Sequence, residues 1–209
     1  MASLTDPQMS AEDMDAMLAS GMAENELRAE FGDALYEELH DLARMAQEAK
    51  ARRSAAAGHV FILPGIMGSR LSVIDGSHSD EIWLSVLNLF RGRVTELAYP
   101  SDTFRVTASG VFLFAYQRMR LRLIIKGHDV QFLPFDWRED VATTADHLWP
   151  AIEAVEKPVS LVCHSMGGLV ARALAARDAD RRLIRKVITL GTPNLGSYSP
   201  VMTLRGLND

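Results

Sequence analysis

Several protein classes are excluded by what this sequence lacks. Among its 209 residues there is one cysteine, Cys163. That rules out an internal disulfide framework and a cysteine-built metal site, and a reducing cytoplasm is the expected setting. No run approaches the roughly 18 uninterrupted apolar residues of a membrane-spanning helix. The opening stretch MASLTDPQMSAEDMD has no basic n-region and no apolar h-region, so no secretory signal is expected. There is no surplus of positive charge either. The net charge is -5, with 12 acidic and 5 basic residues in 1–58 against 15 and 17 in 59–209. A nucleic-acid partner calls for a basic face, so none is expected. No cluster of metal-ligating side chains and no phosphate-binding glycine motif occurs, which leaves no metal or organic cofactor implied. No histidine follows His164.

What is present is an ordinary soluble composition, 48% hydrophobic and 23% charged. The length suits one domain with at most a small appendage. Residues 1–58, rich in Ala, Met and Glu, predict helices. Ser10 and Asp13 form a capping box; Met14, Met17 and Leu18 share a face, and Gly21 stops the helix. Leu27 and Phe31 mark a second short helix ended by Gly32. A third, Asp33 to Arg52, has an apolar stripe of Leu35, Leu39, Leu42, Ala46 and Ala49. SAAAG (54–58) reads as a linker, so 1–58 forms an acidic helical appendage. The acidic charge excludes a DNA-binding helix pair here, and the short, solvated His40 carries no chemistry.

From His59 the pattern becomes α/β. Short apolar strands (59–63, 104–107, 129–135, 158–163, 184–190) alternate with helical stretches (111–126, 141–156, 167–177), with Pro150 expected to kink or divide the second. The alternation predicts a parallel sheet with helices on both faces. Right-handed crossovers put all strand C-terminal ends at one edge, where ligands bind. Three loops fall there: PGIMGSR (64–70), the turn after Cys163, and GTPNLGS (191–197).

The turn after Cys163 carries the chemistry. LVCHSMGGLVAR (161–172) runs from a buried strand through Ser165 into a helix, the nucleophile-elbow pattern with Cys163 in place of the first glycine. Such a serine sits on strained backbone, and strand and helix pass so close that small residues are needed; Gly167 and Gly168 meet that need. The Met166 N–H at the helix start is aimed where an oxyanion would form. A chance Ser-x-Gly-Gly turn is the plainer reading of the local motif alone.

Four ordered motifs bear on it: HVFILPGIMGSRL (59–71), PFDWR (134–138), LVCHSMGGLVAR and TLGTPNLGS (189–197). Together they resemble the lecithin:cholesterol acyltransferase family, especially its bacterial lipase-like members, over roughly residues 59–200. The resemblance implies an α/β-hydrolase that acts on acyl esters, phospholipids among them, by hydrolysis or transfer, through an acyl-enzyme at Ser165. It implies a second oxyanion donor at the Ile66 N–H and substrate contact at Gly65, Met67 and Gly68. Asp136, Trp137 and Arg138 are expected to brace the site through an ion pair and aromatic packing. Family members often carry His where Asn194 stands.

A hydrolase of this fold takes its acid and then its histidine from beyond the serine. Here the only acids after Ser165 are Asp178, Asp180 and Asp209, and the first two lie too far along the chain to orient a base. His59 and His128 begin strands at the opposite edge, His147 sits on a crossover helix, and His164 points away from its neighbour; His78, in the loop DGSHSD, is the one candidate to fold over the site. The domain 59–209 is therefore read as an α/β-hydrolase fold incomplete at its C-terminus, with little expected esterase activity. The alternatives are a non-catalytic binding module acting through the stripe of residues 35–49 or a degenerate hydrolase, either of which retains the elbow, and a generic carboxylesterase. Arg118, Arg120, Arg122, Arg181, Arg182, Arg185 and Lys186 are read as solvated, or as a transient contact with anionic lipid headgroups.

Overall fold

A computed structural model describes residues 9–76 and 78–198, together with Met202 and Arg205. Asp209 lies outside the described residues. Three helices come first: α1 (Ala11–Ser20), α2 (Glu24–Phe31) and α3 (Asp33–Arg52). The Ser10 hydroxyl accepts the Asp13 N–H at 3.1 Å while the Asp13 carboxylate accepts the Ser10 N–H at 3.2 Å, which closes the capping box at the start of α1. Gly21, at φ 71, ends that helix in the left-handed conformation glycine tolerates.

The buried seam of α3 is Tyr36, Leu39, Ala43 and Ala46, shifted from the expected stripe. Leu35 and Leu42 sit at its margin. Tyr36 turns inward because Arg28 lies 4.6 Å over its ring and His40 stacks on it at 5.9 Å. His40 is not merely solvated: its Nδ1 lies 2.6 Å from the Leu18 carbonyl oxygen, which ties α3 to the end of α1.

Strand β1 (His59–Leu63) then enters the sheet. An excursion follows: β2 (Ser69–Asp75), β3 (His78–Trp83), the short helix α4 (Val86–Phe90), a 3-10 turn (Arg93–Leu97) and β4 (Arg105–Val111). The chain finishes as α5 (Leu113–Ile125), β5 (Asp129–Phe132), α6 (Val141–Glu153), β6 (Val159–His164), α7 (Met166–Arg177) and β7 (Ile184–Leu190). The parallel sheet has the order β5-β1-β6-β7. The strand expected at 104–107 is instead part of β4 in a separate antiparallel sheet, β3-β2-β4.

Side chains alternate across the parallel sheet as its pleat requires. Val60, Ile62, Val130 and Val162 join the core formed with α1, α2, α3 and α5. Phe61, Leu63, Leu161 and Cys163 join the opposite core, beneath α6 and α7. The architecture is thus α/β-hydrolase-like, a parallel sheet between two helical layers.

Arg120 does not belong with the solvated arginines. It is 1% exposed on α5 and bonds Asp15 at 2.5 Å and Glu12 at 2.6 Å, both from α1. Arg118 and Arg122 pair with Glu38 of α3, each at 2.8 Å.

Pro150 neither divides nor ends α6, which runs unbroken through it. It sits in the last turn, so only one backbone bond, to the Asp146 carbonyl, is forgone. At the other end Asp140 accepts the Ala142 and Thr143 N–H groups at 2.9 and 3.0 Å. The Thr143 hydroxyl, which donates to the same carboxylate, and then these N–H bonds hold its carboxyl below the usual carboxylate range. A depressed folded value means stability present above the ordinary value of 3.8 and lost as pH falls through the folded one. Asp140→Ala is expected to lower the melting temperature at pH 7, with the gap to the parent closing on acidification. An unchanged gap in a melting series from pH 7 to pH 2 would contradict the cap.

Candidate active site

The parallel register places Leu63, Cys163 and Thr189 side by side at the sheet's C-terminal edge. The loops that leave these strands therefore meet. Ser165, between β6 and α7, has φ 49 and ψ -119, a region that L residues rarely adopt. Its conformation is held from both sides: the Ser165 N–H donates to the Leu190 carbonyl at 2.8 Å, and the Gly168 N–H donates to the Ser165 carbonyl at 3.0 Å.

The glycines are required by contact. A Cβ on Gly167 would lie 2.4 Å from the Pro64 carbonyl oxygen and 2.8 Å from that of Leu63. One on Gly168 would lie 2.0 Å from Thr192 Oγ1. One on Gly65 would lie 3.0 Å from both Ser165 Cβ and His164 Nδ1. The loop after β1 is thus packed directly on the serine. Met166, as first residue of α7, offers a backbone N–H with no intrahelical partner, while its side chain packs against the core under α7.

In the β1 loop the Gly68 N–H donates to the Gly65 carbonyl at 3.0 Å, closing a tight turn over Ile66 and Met67. Met67 stands at the turn's positive-φ position, φ 59. Ile66 is 54% exposed and Met67 48%. The Trp83 indole N–H donates to the Met67 carbonyl at 3.1 Å.

Asp136 and Arg138 pair, with Arg138 Nε 2.8 Å from Asp136 Oδ1, and Arg138 Nη1 donates to the Leu97 carbonyl at 2.9 Å. The Trp137 indole N–H donates to the Ser69 carbonyl at 3.2 Å, and its ring meets Trp83 edge-on at 5.5 Å. These groups tie the segment after β5 to two points of the excursion, the start of β2 and the end of the 3-10 turn.

Cys163 is fully buried in the core under α7, and burial pushes its thiol up to about 12. The neutral thiol is no rival nucleophile. Iodoacetamide at pH 8 is expected to leave it intact in the folded protein and to alkylate it once urea unfolds the chain; rapid alkylation of the native protein would contradict this packing.

The other candidates lie elsewhere. The Asp178 carboxylate accepts the Leu183 and Ile184 N–H groups, both at 2.8 Å, and so secures the entry to β7. His59 pairs with Asp129 at 3.3 Å and His147 with Glu139 at 3.0 Å. His78 is not in a loop that folds over the site. It opens β3 opposite Asp75, and β2, which starts at the site with Ser69, carries that end about 20 Å away. Asn194 accepts from Arg172 at 3.1 Å and steadies the loop after β7. Among the described residues no histidine–carboxylate pair is brought to Ser165.

One residue of the site went unread in the sequence. Tyr116, on α5 and 6% exposed, reaches between the two loops: the Gly65 N–H donates to its hydroxyl at 3.0 Å, and His164 Nδ1 lies 3.0 Å from the same oxygen. In the sequence it reads as one more apolar residue of an amphipathic helix. Its only signal is a phenol at the N-terminal end of a helix that starts beside the β1 loop.

With that geometry in hand, a comparison with family models matches residues 139–204 to a PGAP1-like alpha/beta domain, of a lipase/esterase-like α/β-hydrolase family. No curated protein gives a significant match. Fold and matched segment agree on an α/β-hydrolase-like architecture.

Proposed function

We propose that the chain is a serine hydrolase or O-acyltransferase of the lecithin:cholesterol acyltransferase type, which handles acyl esters of lipids through an acyl-enzyme at Ser165. The observation that carries this reading is the Gly65 backbone packed against the strained Ser165. The serine is presented at an edge where the Met166 N–H and the Ile66 N–H are the donors for a developing oxyanion. The Gly65 N–H already serves Tyr116, which favours Ile66 as the second donor.

Exposed apolar side chains in the turn packed on Ser165, Ile66 and Met67, favour a lipid acyl group over a small polar ester. A cavity of about 520 Å³ has a mixed wall, with Leu84, Val86, Leu87, Phe112 and Phe114 on one part and Glu30, Arg70, Asp80 and Glu81 on another. It adjoins the β1 loop, because the Phe112 N–H donates to the Gly68 carbonyl at 3.1 Å. Val86 is 63% exposed and Phe90 87%, which suits transient contact with a lipid surface. The buried, reduced Cys163 fits a cytoplasmic setting.

The lack of a histidine–carboxylate pair at Ser165 among the described residues favours one second reading, a binding module that keeps the elbow. Without a base the hydroxyl stays protonated and weakly nucleophilic, though oxyanion donors alone sustain residual reactivity. Turnover of p-nitrophenyl esters by these 209 residues is therefore expected to stay near the buffer rate. Robust turnover abolished by Ser165→Ala would contradict the missing base. Alkyl fluorophosphonates of short and long chain separate the readings: slow labelling at Ser165, faster with the long chain, is expected. Labelling indifferent to chain length would remove the lipid assignment, and absence of labelling would favour the module.

A further inference from the structure

The β1 loop carries two glycines whose spacing the elbow explains only in part. Gly65 gives room to Ser165 and His164. Gly68 gives room to something else: a Cβ there would lie 2.7 Å from the Tyr116 hydroxyl oxygen, closer than any other atom it would meet. The loop is folded around that oxygen. Gly65 donates its N–H to it, and His164, the residue before Ser165, stands against it. The ring of His164 lies 5.9 Å from the Tyr116 ring at an interplanar angle of 60°, so the contact runs through the polar atoms and not through stacked faces.

We propose that Tyr116 is a positioning residue of the site, a hydroxyl clamp that fixes the oxyanion loop at Gly65 to the elbow at His164. This rests on the reading of Ser165 as nucleophile. The proton placement follows from the donor count. A phenol has one proton and accepts through its oxygen. With the Gly65 N–H donating in, the hydroxyl proton is directed at His164 Nδ1, and the neutral ring carries its own proton on Nε2.

Two consequences follow. The Gly65 N–H is withdrawn from the oxyanion site, which leaves the next amide, that of Ile66, to face the substrate oxygen. The separation between loop and serine is also set by two hydrogen bonds to one oxygen, and not by loop packing alone. Since displacement of an active-site group by about 1 Å costs on the order of 100-fold in rate, a clamp at this point has leverage although Tyr116 touches no reacting atom. Burial raises the phenol above its ordinary value of 10.0, against the opposing effect of the Gly65 N–H, so the hydroxyl keeps its proton throughout the neutral range.

The test is Tyr116→Phe in the whole chain, which keeps the ring and deletes only the oxygen. Three readouts are taken. Nitrogen NMR of His164 reports its tautomer, amide hydrogen exchange reports the Gly65 N–H, and a long-chain fluorophosphonate reports the rate of Ser165 labelling, with Ser165→Ala as the blank. In the parent, His164 is expected as the Nε2–H tautomer. In the variant it becomes a mixture, the Gly65 amide exchanges with solvent about tenfold faster, and labelling slows about tenfold or more, while circular dichroism is unchanged. Parental tautomer, exchange and labelling in the variant would overturn the clamp. A parent that fails to label loses the nucleophile reading by itself; the tautomer and the amide exchange still decide whether Tyr116 clamps the loop.

Discussion

Gly167→Ala is expected to be the most damaging single substitution in the domain. The added methyl would meet the carbonyl oxygens of Pro64 at 2.4 Å and Leu63 at 2.8 Å. Both are backbone, so no rotamer change relieves the clash; α7 must move away from β1. Overpacking of this kind costs about 3 kcal/mol or more, a fall in melting temperature of about 6–12 °C for a chain of this size. The same shift would pull the Met166 N–H off its line, so labelling of Ser165 is expected to disappear even where the variant folds. Gly168→Ala offers the comparison. Its methyl meets Thr192 Oγ1 at 2.0 Å and Thr192 Cβ at 2.9 Å, so the largely exposed loop after β7 must shift, and not a strand of the sheet; a smaller fall is expected. Calorimetry of the two variants decides. Equal, minor losses would mean that strand and helix are not held as closely as described.

Arg120→Ala is the second large effect, and it lies far from Ser165. Arg120 is buried between α5 and α1 with Asp15, 6% exposed, as partner. Removing the arginine leaves a carboxylate uncompensated in the interior, at a cost of about 3–5 kcal/mol. Lys50, 3.8 Å from Asp15, gives partial relief. The pH dependence gives the argument a sign. Burial raises Asp15 above its ordinary value of 3.8 despite the pull of Arg120. A raised folded value contributes stability that is complete below the unfolded pKa and lost as pH rises through the folded one. In Arg120→Ala the folded value moves up further, so the deficit relative to the parent is expected to be small near pH 3 and full at pH 7. Replacing Arg120 by Met together with Asp15 by Leu removes both charges and is expected to recover most of the loss. A deficit independent of pH, or no recovery in the pair, would show that the charges are not what joins α1 to α5.

The parts of this molecule that were legible in the sequence are those in which local pattern and tertiary environment agree. The Ser10–Asp13 box, the Gly21 stop and the apolar runs of β1, β6 and β7 each carry their own explanation. The elbow was legible because Gly167 and Gly168 stand within three residues of Ser165 and because the residues that demand them, Leu63, Pro64 and Thr192, end or follow strands already recognised. The excursion between β1 and α5 was not. Strand β2 buries Ser69 and Ser72, and the ladder on each side of it is bulged near Leu71. Strand β3 buries only Ile82. Neither shows the alternation that marks a strand. Tyr116 was hidden differently: its ring belongs to the helix pattern, and only its hydroxyl, reaching Gly65 across 51 positions of chain, belongs to the site. Arg120 looked like one of several surface arginines because its partners, Glu12 and Asp15, lie more than a hundred residues away.

The most direct test of the account is peptide mapping after treatment of the native chain with a fluorophosphonate. One phosphonyl group on the peptide that contains Ser165, absent after denaturation before treatment and absent in Ser165→Ala, is the expected result. No adduct on that peptide, or equal modification of serines across the chain, would contradict the claim that the turn between β6 and α7 presents Ser165 beside oxyanion donors as the nucleophile.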